Sequence, residues 1–307
     1  MMREGSYGFD MSVQFTKIAL IGKSHAERLP ETLTQLYDYL LSRGIEVMVE
    51  DAAVPFIKGG KLDGYPIDTL ASNCDLAIVV GGDGTLLAAA KSLSSYDVPL
   101  IGVNLGRLGF LVDISPVHMI EHVENILSGN FVEEKRFMLE ATLSRGGETI
   151  YRQLAINEVV IHRLNASSMI EIETAIDGRF LNSQRSDGLI VSTPTGSTAY
   201  ALSAGGPILS PHIKAMVLAP INPHTLTNRP IVVGAESVIE VGFRPSRDFS
   251  AQVVCDSLPS PDLSLNDLIS IRASEKSFRL LHPAGYDFFE ILRMKLNWST
   301  GNPAESC

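Results

Sequence analysis

Cysteine is scarce in this sequence. The chain of 307 residues has three cysteines, Cys74, Cys255 and Cys307, which are odd in number and widely separated. This spacing excludes a disulfide framework and a paired CxxC metal site. Because unpaired thiols persist in reducing compartments, the sequence predicts a cytoplasmic protein.

Long apolar runs and an excess of positive charge are also missing. Runs such as Leu76–Val80 are soon interrupted by glycine and aspartate, and none reaches the roughly 18 residues that a membrane-spanning helix needs. The 25 Lys and Arg residues are outnumbered by 35 Asp and Glu residues, so the formal net charge is −10. Such a chain repels nucleic-acid backbones and anionic lipid headgroups at long range, and we predict neither as a partner.

The first residues are not expected to form a secretory signal. The segment MMREGSYGFD lacks an apolar centre and a small-residue cleavage site. We interpret residues 1–11 as a loose leader. Because Met11 closely precedes the first strand-like run, a start at Met11 is a further hypothesis.

Two regions of the chain differ in periodicity. From residue 12 to 136, short β-branched runs such as Lys17–Gly22 alternate with amphipathic stretches, which predicts a Rossmann-like α/β domain with a mostly parallel sheet. From residue 137 to 285, strand-like runs separated by turn residues predict a β-rich, sandwich-like domain, with a hairpin at Asp177-Gly178. Residues 286–307 are expected to form a helix and tail that pack back on the first domain.

A glycine-rich loop, Gly81-Gly82-Asp83-Gly84-Thr85, follows the predicted strand Leu76–Val80. Three glycines let the backbone approach a ligand, and the helix that follows offers unpaired amides to phosphate. A carboxylate inside such a cradle repels phosphate unless it acts as a general base or contacts magnesium. The alternative is that Asp83 caps the helix, a role that aspartate performs well.

Polar residues also interrupt apolar runs in the second region. Asn157 and Glu158 lie in the predicted strand Ala155–His162, where they could recognise adenine and ribose or bind neighbouring backbone. Asp187 has the same two interpretations. The hydroxyl-rich loop Ser192–Tyr200 could bind ribose or phosphate, with Tyr200 against a purine ring, or it could be a solvated turn before a helix.

Several shorter motifs do not match the pattern that their chemistry requires. Gly22-Lys23-Ser24 resembles the end of a Walker A loop, but the earlier glycine is replaced by Lys17 inside a strand. Gly102, Gly106 and Gly109 do not have the spacing of a dinucleotide fingerprint. His118 and His122 lie one helical turn apart without a third ligand, so we predict no metal site built by the protein.

Three motifs together resemble the bacterial NAD kinase family. They are GGDGT at residues 81–85, AINEVVIH at 155–162 and SDGLIVSTPTGSTAYALSAGGPIL at 186–209. GGDGT alone is shared with diacylglycerol and sphingosine kinases, whereas TPTGSTAY is far more discriminating. The similarity extends from about residue 16 to 298.

The resemblance implies transfer of the γ-phosphoryl group of ATP to the 2′-hydroxyl of the adenosine ribose of NAD. It implies an α/β domain, a β-rich domain, and a homo-oligomer, dimer or tetramer, that binds NAD where domains and subunits meet. Magnesium would arrive with ATP. By motif position, Asp83 would be the base, and the residues around the dinucleotide would be Gly82, Asp83, Gly84, Asn157, Glu158, Arg185, Asp187, Thr198, Ala199, Tyr200, Ala201, Leu202 and Ser203.

Three positions depart from the family pattern. Ala88 stands where many relatives have a basic residue shortly after GGDGT, and Ser168 stands where some have a histidine. In Asp256-Ser257-Leu258, the leucine stands where relatives often have a glutamine. No ionic contact is therefore expected from Ala88 and no amide contact from Leu258.

Two other functions remain open at this point. A lipid kinase of the diacylglycerol type would use the same glycine loop, but the acidic charge and TPTGSTAY speak against it. A dinucleotide sensor would keep the pocket and transfer nothing, and the presence of Asp83 favours chemistry over this alternative.

Overall fold

The computed structural model describes residues 15–23, 26–59, 62–106, 108–165, 168–245 and 248–298. The leader predicted over residues 1–11 and the tail after residue 298 lie outside these ranges. In chain order the first elements are β1 Lys17–Gly22, α1 Leu29–Ser42, β2 Glu46–Glu50, β3 Gly64–Tyr65, α2 Ile67–Asn73, β4 Leu76–Gly81, α3 Asp83–Leu93, β5 Pro99–Asn104 and α4 Met119–Leu127. The remaining elements are β6 Phe131–Arg145, β7 Glu148–Ala155, β8 Glu158–Arg163, β9 Ile170–Ile176, β10 Arg179–Ser186, β11 Gly188–Ser192, α5 Tyr200–Ser203, β12 Ala215–Ile221, β13 Ile231–Gly234, β14 Ile239–Phe243, β15 Ala251–Cys255, β16 Leu258–Pro259, β17 Asp267–Pro283 and α6 Phe288–Leu296.

The chain divides into two compact units. Unit 1 consists of Met1–Lys135 and Phe278–Cys307, and unit 2 consists of Arg136–Ser277. The strands β6 and β17 each cross the boundary between these ranges along the chain. The domain boundaries at residues 12–136, 137–285 and 286–307 stay predictions.

Unit 1 is built on a parallel sheet with the strand order β3-β2-β1-β4-β5. The last residues of β17 continue the sheet, since Arg279 and Leu280 pair in parallel with Pro99 and Leu100 of β5. β4 and β5 are buried along their whole length, which is typical of strands that are covered on both faces. The sequences of these strands, LAIVVG and PLIGVN, are largely apolar, which allows their burial.

The candidate site of unit 1 lies at the carboxyl ends of these strands. Such ends share one edge of a parallel sheet, and ligands commonly bind there. β1 leads to Lys23, β4 leads to Gly82, and β5 ends at Asn104. Gly81 is paired with Asn104, so the loops that follow β4 and β5 begin side by side.

Unit 2 contains two antiparallel sheets. One has the order β10-β9-β14-β17, with β17 paired to β6 and β6 to β7, and the other has the order β13-β12-β11-β8-β15-β16. Buried apolar side chains from both sheets form one core, including Leu139, Ile172 and Ile269 from the first sheet and Val159, Val191 and Met216 from the second. The predicted combination of an α/β region and a β-rich, sandwich-like region is confirmed.

Local predictions agree with the structure at one turn and fail at one strand. Asp177 and Gly178 have φ angles of 51° and 72°, as the predicted hairpin between β9 and β10 requires. The continuous strand predicted over Ala155–His162 is wrong, because β7 ends at Ala155 and β8 begins at Glu158. Between them the backbone bends, and its amides are bonded to a side chain instead of a neighbouring strand.

None of the helices in the described ranges has both the length and the apolar character that crossing a bilayer requires.

Candidate active site

The glycine loop of unit 1 joins β4 to α3. β4 ends at Gly81 and α3 begins at Asp83, so strand, loop and helix follow in the predicted order. A Cβ atom at Gly81 would lie 2.7 Å from the hydroxyl of Thr85, whereas at Gly82 or Gly84 it would meet no atom within 4 Å. The first amides of a helix lack intrahelical acceptors, so this open backbone offers donors to an anion.

The carboxylate of Asp83 accepts three backbone hydrogen bonds. Oδ2 accepts from the amide of Phe110 at 2.9 Å, and Oδ1 accepts from the amides of Leu111 at 3.1 Å and Val112 at 3.2 Å. The helix-cap alternative is therefore wrong, since α3 has no side-chain cap and the carboxylate binds a different segment. Each carboxylate oxygen can accept two hydrogen bonds, so Oδ2 keeps capacity for another donor.

Gly109 makes room for this carboxylate. A Cβ atom at Gly109 would collide with Oδ1 of Asp83 and would lie 2.7 Å from its Cγ. The backbone of Gly109 also donates to the carbonyl of Val112 at 3.1 Å, which closes the turn around the side chain. The segment of residues 109–112 therefore holds Asp83 in place, and the glycine within it is a steric requirement.

A cavity of about 280 Å³ opens beside the glycine loop. Its polar lining comes from Lys23, Glu50, Thr85 and Ser92, and Gly84 and Ala88 complete the wall next to α3. The hydroxyl of Thr85 donates to the carbonyl of Lys23 at 3.4 Å. Burial raises the pKa of Glu50, while a backbone hydrogen bond at Gly22 and the charge of Lys23 oppose the shift. The cavity thus combines one cation, two hydroxyls and a carboxylate with a weakened tendency to ionise.

In unit 2, Asn157 and Glu158 lie at the break between β7 and β8. The carboxylate of Asp256 accepts from the amides of Ile156 and Asn157, both at 2.8 Å, and from that of Glu158 at 3.3 Å. The amide of Asp256 donates in return to the carbonyl of Glu158 at 3.0 Å. These four bonds replace a strand ladder and define the backbone from which both side chains project.

Glu158 carries a perturbed carboxyl group. Burial, followed by the negative charge of Asp256, raises the pKa of Glu158 to about 7, while a hydrogen bond with the backbone of Tyr200 opposes the shift. Its Oε2 atom is buried without a hydrogen-bond partner among the described residues. A buried acceptor that changes charge near neutral pH is poised to bind a hydroxyl of a ligand.

The hydroxyls of the loop Ser192–Ser197 form hydrogen bonds within the protein. Thr193 Oγ1 donates to the carbonyl of Ile156 at 2.6 Å, and Ser197 Oγ donates to the carbonyl of Pro194 at 2.7 Å while accepting from the amide of Leu209 at 2.9 Å. These side chains are buried, so the solvated-turn alternative is wrong. A Cβ atom at Gly196 would collide with the carbonyl of Asn157, which explains the glycine in this loop.

A cavity of about 490 Å³ lies on unit 2. Asp187 and Tyr200 line it together with His162, Arg163, Asn165 and Asn222. Asp187 accepts from Asn222 Nδ2 at 2.9 Å and from Arg163 Nε at 2.6 Å. These two bonds hold the pKa of Asp187 below its ordinary value. The side chain of Tyr200 is 44% exposed, so its ring is accessible to a ligand.

The other predicted residues of unit 2 differ in their surroundings. Arg185 lies on β10 with an exposed side chain, and it is not among the residues that line the 490 Å³ cavity. Thr198 donates to the carbonyl of Thr195 at 3.2 Å. Ala199 precedes the short helix α5, which contains Tyr200, Ala201, Leu202 and Ser203, and within this helix Ala201 is buried. The structure thus groups Asp187 with Tyr200 and leaves Arg185 apart from that cavity.

Sequence reasoning missed three residues of these sites. Lys23 belongs to a motif that does not match a Walker A loop, although its position directly after a buried strand is a usable signal. Gly109 and Asp256 were not assigned roles, because their partners lie far away in the chain. Within the described ranges, no three His, Cys, Asp or Glu side chains converge as a metal site.

Family models match both parts of the chain. Residues 65–131 match the ATP-NAD kinase N-terminal domain, and residues 156–283 match the ATP-NAD kinase C-terminal domain. The chain is 58% identical over 289 residues to the NAD kinase of Methylococcus capsulatus, covering 94% of this chain and 99% of the relative. It is 47% identical over 293 residues to the NAD kinase of Aeromonas salmonicida, with 94% and 99% covered.

Two solved structures share the fold. Yeast NADH kinase complexed with NADH superposes with a TM-score of 0.84 and 25% identity, covering 94% of this chain and 89% of the yeast chain. An NAD kinase from Archaeoglobus fulgidus in complex with ATP superposes with a TM-score of 0.70 and 26% identity, covering 92% and 97%.

Proposed function

The chain belongs to the NAD kinase family, and we propose that it converts NAD and ATP into NADP and ADP. The phosphoryl acceptor is the 2′-hydroxyl of the adenosine ribose of NAD. The observation that carries this proposal is the carboxylate of Asp83, which is anchored by three backbone amides and flanked by two exposed glycines. A base in this position can accept the proton of a hydroxyl while the adjoining backbone binds phosphate.

Asp83 acts as the general base in this proposal. The 2′-hydroxyl donates its proton to Oδ2, and the ribose oxygen attacks the γ-phosphorus of ATP. The bond from that phosphorus to the β,γ-bridging oxygen breaks, and ADP leaves with the electron pair. Phosphoryl transfer depends chiefly on positioning and charge stabilisation, and a well-placed base adds roughly 10²–10⁴ in rate.

In unit 1, the predicted dinucleotide contacts are Gly82 and Gly84, where the backbone is open to a ligand. In unit 2, the predicted contacts begin at the break between β7 and β8. There, the amide of Asn157 and the carboxylate of Glu158 bind adenine and ribose, and Tyr200 offers an exposed ring for stacking. The remaining assigned residues are Arg185, Asp187, Thr198, Ala199, Ala201, Leu202 and Ser203. Support comes from the 490 Å³ cavity that Asp187 and Tyr200 line, a volume typical of a small-molecule site.

The phosphates of ATP are assigned to the start of α3. Lys23 and the hydroxyls of Thr85 and Ser92 line the adjoining cavity, and the helix start adds amide donors. Ala88 contributes no charge there, so Lys23 provides the ionic contact. Mg²⁺ would arrive bound to the phosphates of ATP, and it would supply charge neutralisation for the transferred group.

The proposed setting is the cytoplasm, and the proposed assembly is a homo-oligomer. The described cysteines, Cys74 and Cys255, are thiols, which suits a reducing compartment. Sedimentation of the purified chain at several concentrations measures whether it forms a dimer or a tetramer.

The test of the proposed function offers each acceptor in turn. The purified protein is incubated with Mg-ATP and either NAD or diacylglycerol in micelles, and each product is quantified by chromatography. NADP with a matching amount of ADP is the expected result. Phosphorylated diacylglycerol would identify a lipid kinase, and thermal stabilisation by NAD without any product would identify a sensor. Either of these outcomes overturns the proposal.

A further inference from the structure

Asp256 occupies the turn between β15 and β16. Its φ angle is 47°, a left-handed conformation that aspartate and asparagine adopt more readily than most residues. Cys255 and Leu258 pair on either side of this turn. The turn therefore projects one carboxylate from a backbone that is itself fixed by the sheet.

The carboxylate meets a stretch of main chain that no strand supports. Ile156 and Asn157 lie between β7 and β8, and their amides both bond to Asp256 at 2.8 Å. The amide of Glu158 adds a third bond at 3.3 Å. Unpaired buried amides are costly, so a side chain that satisfies several of them determines the local backbone path.

We propose that Asp256 is a positioning residue for NAD: by fixing the backbone of residues 156–158, it sets the directions of the Asn157 and Glu158 side chains. This inference rests on the proposed function, in which those two side chains contact the dinucleotide. Asp256 itself need not touch NAD.

Asp256 also influences the charge of Glu158. Its negative charge is the second cause, after burial, of the raised pKa of Glu158. The ionised carboxylate of Glu158 offers both oxygens as acceptors to a ligand hydroxyl, whereas protonation turns one of them into a donor. NAD affinity should therefore rise as the pH increases through about 7, the pKa of Glu158. Removing the charge of Asp256 should move this rise to lower pH.

The first test replaces Asp256 by asparagine. Asparagine tolerates the left-handed φ, so Asp256→Asn removes the charge and one acceptor while the turn stays unstrained. We expect KM for NAD to rise roughly tenfold to hundredfold, as for lost hydrogen bonds to a charged group. The value of kcat should change much less, and the midpoint of the pH dependence of NAD affinity should fall. Isothermal titration with NAD across pH 5.5–9 and steady-state kinetics measure these quantities.

A matched control separates positioning from stability. Asp267 lies in the same unit and is 3% exposed. It accepts from Arg145 Nε at 2.8 Å and from the amide of Ser264 at 2.7 Å. We expect Asp267→Asn to lower Tm while leaving KM for NAD and its pH midpoint unchanged. A second variant, Asp256→Gly, keeps the left-handed turn and removes the carboxylate entirely, so it replaces Asp256→Asn if that variant does not fold.

Glu158→Gln identifies the titrating group, because this variant should lose the pH dependence of NAD affinity. If both Asp256 variants behave like Asp267→Asn, with lower Tm but unchanged KM and pH midpoint, Asp256 is merely structural and the inference is overturned. Failure of the proposed function looks different. In that case the wild-type protein forms no NADP. If the wild-type protein forms NADP but Glu158→Gln binds NAD as tightly as the wild-type protein at every pH, Glu158 does not contact NAD, and the inference alone is overturned.

Discussion

Units 1 and 2 each contain an aspartate that is bonded to three consecutive backbone amides. Asp83 in unit 1 binds the amides of residues 110–112, and Asp256 in unit 2 binds those of residues 156–158. The hydrogen-bond pattern is the same, but the surroundings differ. Asp83 stands between two exposed glycines, whereas Asp256 is bonded directly to the main chain of a perturbed glutamate.

The comparison shows that hydrogen bonds to a carboxylate do not by themselves reveal its role. Both aspartates organise a bent piece of main chain. The open backbone beside Asp83, where a Cβ atom at Gly82 or Gly84 would meet no atom within 4 Å, leaves space for a substrate next to the carboxylate itself. The function of each carboxylate therefore depends on how much space the neighbouring residues leave for a ligand.

The largest expected effect comes from Asp83→Asn. Removing the base should lower kcat by roughly 10²–10⁴ while NAD still binds. NADP formation and calorimetric titration with NAD measure the two properties. Asp68→Asn is the control, since Asp68 is also an acidic residue in the first turn of a helix in unit 1. Unchanged kcat in Asp83→Asn would show that Asp83 is not the base and that it acts, as Asp256 does, by holding the main chain.

Gly109→Ala should have the next largest effect. The added methyl group would collide with the Asp83 carboxylate, and a displacement of about 1 Å in a reacting group can cost roughly 10² in rate. We expect kcat to fall with a modest decrease in Tm. Gly106→Ala is the matched control, because a Cβ atom there meets no atom within 4 Å. Equal activity of the two variants would show that the fit around Asp83 does not matter.

Lys23→Ala should weaken the binding of ATP without affecting the binding of NAD. Losing one cation beside the start of α3 should raise KM for ATP about tenfold and leave KM for NAD unchanged. Variants of Asp256 should show the reverse selectivity. Lys58→Ala, which removes another exposed lysine of unit 1, should alter neither constant. A rise in KM for NAD alone in Lys23→Ala would contradict the assignment of ATP to this cavity.

The smallest effect concerns stability and arises behind the Asp83 loop. His282 is 1% exposed and its Nδ1 lies 2.9 Å from Asp113 Oδ2, while Nε2 lies 3.4 Å from Glu134 Oε2. Burial would lower the pKa of His282, but its interactions with the two carboxylates outweigh burial and raise the pKa above 6.5. Asp113 directly follows the amides that bind Asp83, so this cluster supports unit 1 at that point.

The sign of the pH effect follows from this raised pKa. The stabilisation from protonated His282 is fully present below the unfolded-state pKa of about 6.5, and it is lost as pH rises through the higher folded-state value. His282→Gln should therefore reduce the free energy of unfolding by about 1–3 kcal/mol at pH 6, and by less at pH 9. Urea unfolding at both pH values measures this, with the exposed His118→Gln as control. A larger loss at pH 9 would contradict the assignment.

Much of the fold was predictable because apolar periodicity is local. The strand Lys17–Gly22 was predicted with its observed ends. The family resemblance from GGDGT and TPTGSTAY is confirmed. The strand predicted over Ala155–His162 failed because Asp256, 98 to 100 residues away, takes the amides that a strand would have paired.

The candidate site was predictable in its motifs and less so in its contacts. Asp83 stood out because a carboxylate among glycines is unusual in a phosphate cradle. Its partners at residues 110–112 could not be recognised in the sequence, because any amide brought within reach could have bonded to the carboxylate. The hydroxyls of Thr193 and Ser197 looked available in the sequence, yet they are satisfied internally.

The order of strands, glycines and hydroxyls along this chain determined its fold class and its family, since both depend on residue spacing. Tertiary structure alone decided which backbone each aspartate binds and which glycine makes room for it. A carboxylate carries no information about its partner. That partner is whichever group folding brings within about 3 Å, where hydrogen bonds form.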